Sequence, residues 1–96
     1  MPKHTINSES SSEKNQNWVV YILISSDETR TYVGICLDIT KRLAQHNGEI
    51  IGGAKSTRAG RPWRVLKKIE NIGSRSEAQV LEHQIKQLGR QARLDY

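Results

Sequence analysis

One cysteine in 96 residues, Cys36, rules out an internal disulfide framework and a cysteine-built zinc site. The same scarcity agrees with a reducing compartment. No apolar run approaches the ~18 residues that a membrane-spanning helix needs, and the N-terminus lacks the apolar centre of a signal peptide. The expectation is a soluble, cytoplasmic protein without a membrane partner. Acidic residues are in deficit: 15 Lys and Arg against 10 Asp and Glu leave a net charge of +5 and a pI near 9.7. Such a balance favours an anionic partner, with nucleic acid ahead of membrane because no basic amphipathic helix stands out. Residues 1–17 have Ile6 as their one aliphatic side chain beyond Met1, and Lys3 and Lys14 cancel Glu9 and Glu13. They read as a disordered polar tail, so the whole excess charge belongs to one small domain over 18–96. No internal repeat is visible.

What is present begins with VYILISSDETRTYVG, Val20 to Gly34. Val19 to Ile24 are β-branched, aliphatic or aromatic throughout, which suits a strand covered on both faces. Ser25 to Glu28 cannot continue the run, Thr31 to Val33 restart it, and Gly34 ends it. The expected unit is a β-hairpin with a loop longer than two residues. Tyr21 shares a face with Val19 and Leu23, and antiparallel pairing can bring Tyr32 to that same face. Two tyrosines in strands are equally compatible with ordinary buried phenols.

A helix is expected from Ile39 to about Asn47, capped by Asp38 or Thr40 and stopped at Asn47-Gly48. Ile39 and Leu43 face the core. Arg42 and His46, also four apart, lie within about 40° of each other on the neighbouring face. Each has an ordinary reading as well, a solvated arginine and a helix-end histidine favourable to the dipole. A glycine-rich loop follows, and from Lys55 to Lys68 the chain holds six basic residues and no acidic one. Lys55, Arg58, Arg61 and Arg64, with the hydroxyl of Thr57, suit phosphodiester contact without base readout. A solvated loop is the plainer alternative. Trp63 to Ile72 reads as a third strand, with Trp63, Val65 and Ile69 on one face and Leu66 and Ile72 on the other; Trp63 belongs in the core. Ser74 and Glu77 form a capping box. The helix behind it runs to about Leu88 with Ala78, Leu81, Ile85 and Leu88 as its buried stripe. Glu82 borders that stripe, as a partner of Lys86 at i+4 or as a functional acid. The last residues, QARLDY, either fray or form a further short helix.

Taken together these residues resemble the GIY-YIG endonuclease superfamily. The first signature reads Val20-Tyr21-Ile22, with Val where Gly often stands, and the second reads Tyr32-Val33-Gly34. Tyr21, Tyr32, Gly34, Arg42, His46 and Glu82 follow in that module's order and approximate spacing over Trp18 to about Arg90. GGAKSTRAGRPW is similar to a loop of the small stand-alone bacterial members and of the nuclease domain in eukaryotic structure-specific endonucleases. Bacterial members commonly have an aromatic residue where Ser56 stands, and the eukaryotic enzymes add a Cys/His zinc domain that has no counterpart here.

The resemblance implies a small α/β (α+β) module, a three-stranded antiparallel sheet flanked by helices in the order β-β-α-β-α. It also implies an endonuclease that hydrolyses DNA phosphodiesters with one divalent metal, Mg²⁺ or Mn²⁺, held by Glu82, in the setting of DNA repair or recombination. Under it Arg42 contacts the scissile phosphate and a tyrosine, Tyr21 by analogy, orients or deprotonates the attacking water, with the choice of Tyr21 or Tyr32 as the base left open. Tyr32 and His46 complete the network. RNA, like branched, flapped, nicked or single-stranded DNA, stays open as a substrate. So do two other readings: a nucleic-acid-binding module of the same fold that cuts nothing, and an interaction domain whose basic loop docks an acidic protein.

Overall fold

In a computed structural model, described here for residues 16–96, the most heavily buried stretch is the strand β1, Trp18–Ile24. All of its residues from Val19 to Ile24 are buried, as the run of β-branched and aliphatic side chains requires of a strand covered on both sides. β1 is the central strand. It pairs antiparallel with β2, Thr31–Cys36, on one side and with β3, Arg64–Ile72, on the other. Helix α1, Ile39–His46, follows β2, and a single 3₁₀ turn, Lys55–Thr57, precedes β3. Helices α2, Arg75–Lys86, and α3, Arg90–Leu94, close the chain. The observed order is the expected β-β-α-β-α with a short final helix added. The polar tail expected over 1–17 lies almost wholly outside the described residues.

The β1–β2 loop is organised by Asp27. Its carboxylate accepts from the Ser25 and Thr29 hydroxyls, each at 2.8 Å, and from the Thr29 backbone N–H at 3.1 Å. Those bonds hold the carboxyl below its usual range. α1 starts at Asp38, whose side chain accepts from the Lys41 N–H at 3.0 Å, and Ile39 and Leu43 pack on the sheet as expected. At the start of α2 the Ser74 hydroxyl accepts from the Glu77 N–H at 3.2 Å. Glu77 returns to the Ser74 side chain at 3.1 Å, so half of the expected box forms with backbone and half between side chains.

The two sheet faces bury separate cores. Val19, Tyr21, Leu23, Cys36 and Trp63 meet Ile39 and Leu43 on one. Val20, Ile22 and Val33 meet Ala78, Leu81, Ile85 and Leu88 of the α2 stripe and its extension on the other. Ile69 corrects the strand reading. It lies with Leu66 and Ile72 on the α2 side, not with Trp63 and Val65. The pairing of β1 with β3 shifts register twice, between Trp18 and Val20 and between Ile22 and Leu23. Each bulge adds a residue to β3, so strict alternation fails and side chains three apart reach one face. Asn71, near the first shift, takes a positive φ of 63°. The final helix is tied back by Arg93, which donates to the Thr31 hydroxyl at 3.1 Å and the Lys86 carbonyl at 2.9 Å, and by Arg90, which donates to the Glu28 carbonyl.

The half-formed box gives a direct test. Removing the buried cap hydroxyl with Ser74→Ala should cost about 1 kcal/mol of folding free energy, whereas Glu77→Gln, which leaves the N–H bond intact, should cost well under half of that. Denaturant titration of both variants checks the order; the reverse order would contradict the cap assignment.

Candidate active site

The face of the sheet under α1 gathers the aromatic and basic residues. Leu23 stands opposite Tyr32 and Tyr21 opposite Gly34, so the two phenols fall on one side, with ring centroids 6.3 Å apart. Gly34 is needed at that place. A Cβ there would collide with the Tyr21 hydroxyl and crowd the Tyr32 ring. The Tyr-Val-Gly string therefore ends on glycine so that the opposite tyrosine can lie flat across the strand.

His46 comes from the last turn of α1 and is fully buried. Its ring centroid is 4.9 Å from Tyr32 and 5.9 Å from Tyr21. Nε2 lies 2.8 Å from the Tyr21 hydroxyl, and Nδ1 lies 3.1 Å from Oγ1 of Thr57. The direction of this chain depends on the His46 tautomer, and the Thr57 hydroxyl argues for one of the two. The Thr57 hydroxyl donates to the Ala54 carbonyl at 2.6 Å, so its one hydrogen is committed and Nδ1–H donates to Thr57. Nε2 is then the acceptor and Tyr21 donates to it. The Ala54 N–H also points at Nδ1, but at 3.4 Å it is the weaker claim on that nitrogen. With the proton on Nδ1 the contacts form a row of hydrogen bonds from Tyr21 through His46 and Thr57 to a backbone carbonyl; with it on Nε2, Nδ1 accepts from the Ala54 N–H instead.

The electrostatics follow from burial beside two arginines. Burial pushes the Tyr21 phenol well above its ordinary value, while the nearby Arg42 guanidinium pulls the other way. Burial, then the charges of Arg42 and Arg61, lowers His46 from 6.5 to about 4, so the imidazole is neutral near pH 7. Arg61 is held against the same helix end, its Nε donating to the His46 carbonyl at 2.8 Å. Arg42 Nη1 donates to Gln45 Oε1 at 2.8 Å and to the Gly52 carbonyl at 2.7 Å. Gln45 in turn donates to the Ile51 carbonyl at 3.2 Å. These bonds fasten the glycine-rich loop to α1. Gly53 passes so close to the backbone of Gln45 and His46 that no side chain would fit.

Four of the five expected catalytic residues, Tyr21, Tyr32, Arg42 and His46, are thus brought together. Glu82 is placed apart from their hydrogen bonds. It stands on α2, whose apolar stripe covers the opposite sheet face. Its side chain is 20% exposed and its carboxylate meets Lys86 Nζ at 3.2 Å. Among the described residues no three His, Cys, Asp or Glu side chains cluster to hold an ion. A single carboxylate paired with a lysine is not by itself a metal site; ions of the magnesium type that use one or two carboxylates complete their shell with waters and phosphate oxygens.

The basic-loop residues divide. Lys55, Arg58 and Arg61 are exposed, while Arg64 is paired with Glu28 at 2.8 Å. Thr57 corrects the sequence reading. It is fully buried and its hydroxyl is spent on Ala54 and His46, so it cannot touch a phosphate. Trp63 is core, as expected, and its Nε1 donates to the Thr57 carbonyl at 2.7 Å. Gln45 was not among the expected site residues. Its place three after Arg42 on one helix is the signal that points to it.

Residues 17–95 match the family described as the GIY-YIG catalytic domain. The chain belongs to the GIY-YIG family. It is 44% identical over 71 residues to a UPF0213 protein of Halobacterium salinarum, covering 74% of this chain and 87% of that one. Over 77 residues it is 35% identical to the structure-specific endonuclease subunit slx1 of Schizosaccharomyces pombe, covering 76% of this chain. It spans only 28% of the length of that subunit. A solution structure of a UPF0213 protein from Bacillus halodurans is similar at TM-score 0.46 and 34% identity, over 79% of this chain and 77% of that one. Among the described residues no helix is long and apolar enough to cross a membrane.

The lowered His46 value predicts a pH dependence of this family member's stability. Between pH 6.5 and about 4 the unfolded chain carries a proton on His46 that the folded chain refuses. The stability held above pH 6.5 should therefore fall on acidification through that window, by at most ~1.4 kcal/mol per pH unit. Denaturant titrations at pH 7, 6 and 5 should show the fall for the parent and a shallower one for His46→Gln. Parallel curves would place the titration elsewhere.

Proposed function

We propose that this GIY-YIG chain is a divalent-metal-dependent endonuclease that hydrolyses phosphodiester bonds in DNA, with a preference for structured substrates. One observation carries the reading: the Tyr21 hydroxyl lies 2.8 Å from Nε2 of a neutral, buried His46 beside the Arg42 guanidinium, and we read Tyr21 as the donor. A phenol alone is a poor base near pH 7, and burial makes its free anion worse. The hydrogen bond to Nε2 removes that obstacle. As water attacks phosphorus, its proton passes to the Tyr21 oxygen while the Tyr21 proton passes to His46 Nε2, so no phenolate persists. Burial is the larger cause of the lowered His46 value, and an arriving phosphate would offset the lesser one, the charges of Arg42 and Arg61.

Arg42 is held in place by Gln45 and Gly52, with its remaining N–H groups available for the scissile phosphate as charge builds there. A divalent ion at Glu82 would neutralise charge on the phosphate and on the departing oxygen. Lys55, Arg58 and Arg61 would hold neighbouring phosphates without reading sequence. The preference for structured DNA is supported by the likeness to a structure-specific endonuclease subunit. The ion pair of Glu82 with Lys86 favours the second reading, a nucleic-acid-binding module that does not cut.

Single-turnover cleavage of flapped and branched DNA with Mg²⁺, beside equilibrium binding in Ca²⁺, separates the two. Arg42→Ala and Arg42→Lys should bind nearly as the parent does and cut ~10²–10³-fold more slowly. Glu82→Gln should abolish metal-dependent cleavage and leave folding and binding intact. Equal losses of binding and rate for Arg42→Ala would reduce that residue to part of the basic surface. No cleavage by the parent on any substrate would leave the binding module.

A further inference from the structure

Beside Arg42 lies a hollow that the proton transfer does not use. It measures about 320 Å³ and is lined by the Gly48–Gly53 loop together with Arg58 and Arg61. Small-ligand sites typically start at roughly this size, ~300 Å³. Gln45 is shared between the two sites: it lines the hollow and accepts from Arg42. Ile50 and Ile51 also line it, and they are 45% and 96% exposed. Two adjacent isoleucines turned to solvent are costly unless covered. Their position is not that of a loose tip. Arg42 holds Gly52, Gln45 holds Ile51, and the Glu49 N–H donates to the Ala44 carbonyl at 2.9 Å.

We propose that this hollow takes one unpaired nucleotide next to the scissile phosphate, with its phosphate on Arg58 and Arg61 and its base against Ile50 and Ile51. The charge argues for it, since two guanidinium groups face one carboxylate, that of Glu49, around the same space. The apolar pair suits the face of an unstacked base, which needs covering once it leaves the helix. A base inside a continuous duplex cannot reach such a hollow without unpairing. The site therefore selects DNA already interrupted at the cut, such as a flap or branch point. This deepens the nuclease reading, on which it rests for where the scissile phosphate lies.

The test is equilibrium fluorescence without divalent metal, using 2-aminopurine at the first unpaired position of a flapped duplex and the same base in a continuous duplex. The parent should bind the flapped DNA at least about tenfold tighter and change its fluorescence. The double variant Ile50→Ser with Ile51→Ser alters only exposed side chains, and should bind both DNAs alike with its duplex affinity unchanged. Arg58→Ala should weaken both. Equal binding of the two DNAs by the parent would overturn the proposal. So would a preference kept by the double variant, which would assign the isoleucines to another partner such as a protein. Cleavage is not read, so the two hypotheses fail separately. A protein that prefers the flap yet cuts nothing in Mg²⁺ keeps this site and loses the nuclease reading, and one that cuts without the preference does the reverse.

Discussion

The hydrogen bond between the Tyr21 hydroxyl and His46 Nε2 joins the central strand to the helix above it, and the rest of the site is built to make it possible. β1 must be buried on both faces so that Tyr21 has one orientation. Gly34 must lack a side chain so that the ring lies across β2. α1 must end at Asn47 so that His46 points back at the sheet, and Asn47 secures that end by accepting from the Trp63 N–H at 2.6 Å and donating to the Trp63 carbonyl at 2.9 Å. Trp63 in turn holds the Thr57 carbonyl, which sets the hydroxyl that fixes the imidazole. A buried polar row of this kind is stable only when its members are satisfied, and with the proton on Nδ1 the Tyr21, His46 and Thr57 hydrogens each have an acceptor while the Ala54 N–H faces a protonated nitrogen.

The same burial that holds the row together suppresses charge within it. Phenolate and imidazolium are both disfavoured, so the resting site is neutral between two cationic arginines. The charges of Arg42 and Arg61 add to burial, the larger cause, in keeping His46 unprotonated. Among the described residues no three His, Cys, Asp or Glu side chains form a preformed metal cage, and Glu82 stands on the helix that covers the other sheet face.

Much of this was legible in the sequence, because it rests on local rules. The hairpin, the Asp38 and Ser74 caps, the α2 stripe and the proximity of Arg42 to His46 each follow from spacing within about a dozen residues. What the sequence concealed depends on tertiary placement. Ile69 changes face because two bulges lengthen β3, and nothing in alternation announces a bulge. Thr57 looked like a phosphate contact because its neighbours are basic, yet the 3₁₀ turn directs it inward while Lys55 and Arg58 face out. Gln45 and the exposed Ile50–Ile51 pair acquire meaning only once the glycine loop folds back on α1. The separation of Glu82 from the aromatic row is likewise a matter of layers, since α2 packs on the opposite side of the sheet.

The direction of the row is the central claim, and the ring nitrogens of His46 report it directly. Two-bond ¹H–¹⁵N correlation spectra near neutral pH distinguish a protonated nitrogen from one with a free lone pair. The account predicts a neutral ring with the proton on Nδ1 and the lone pair on Nε2, and Thr57→Val should release that preference into a mixture. A proton on Nε2 with Nδ1 accepting from the Ala54 N–H would contradict it. Tyr21 would then be the acceptor from His46, and the proton could not leave by that path.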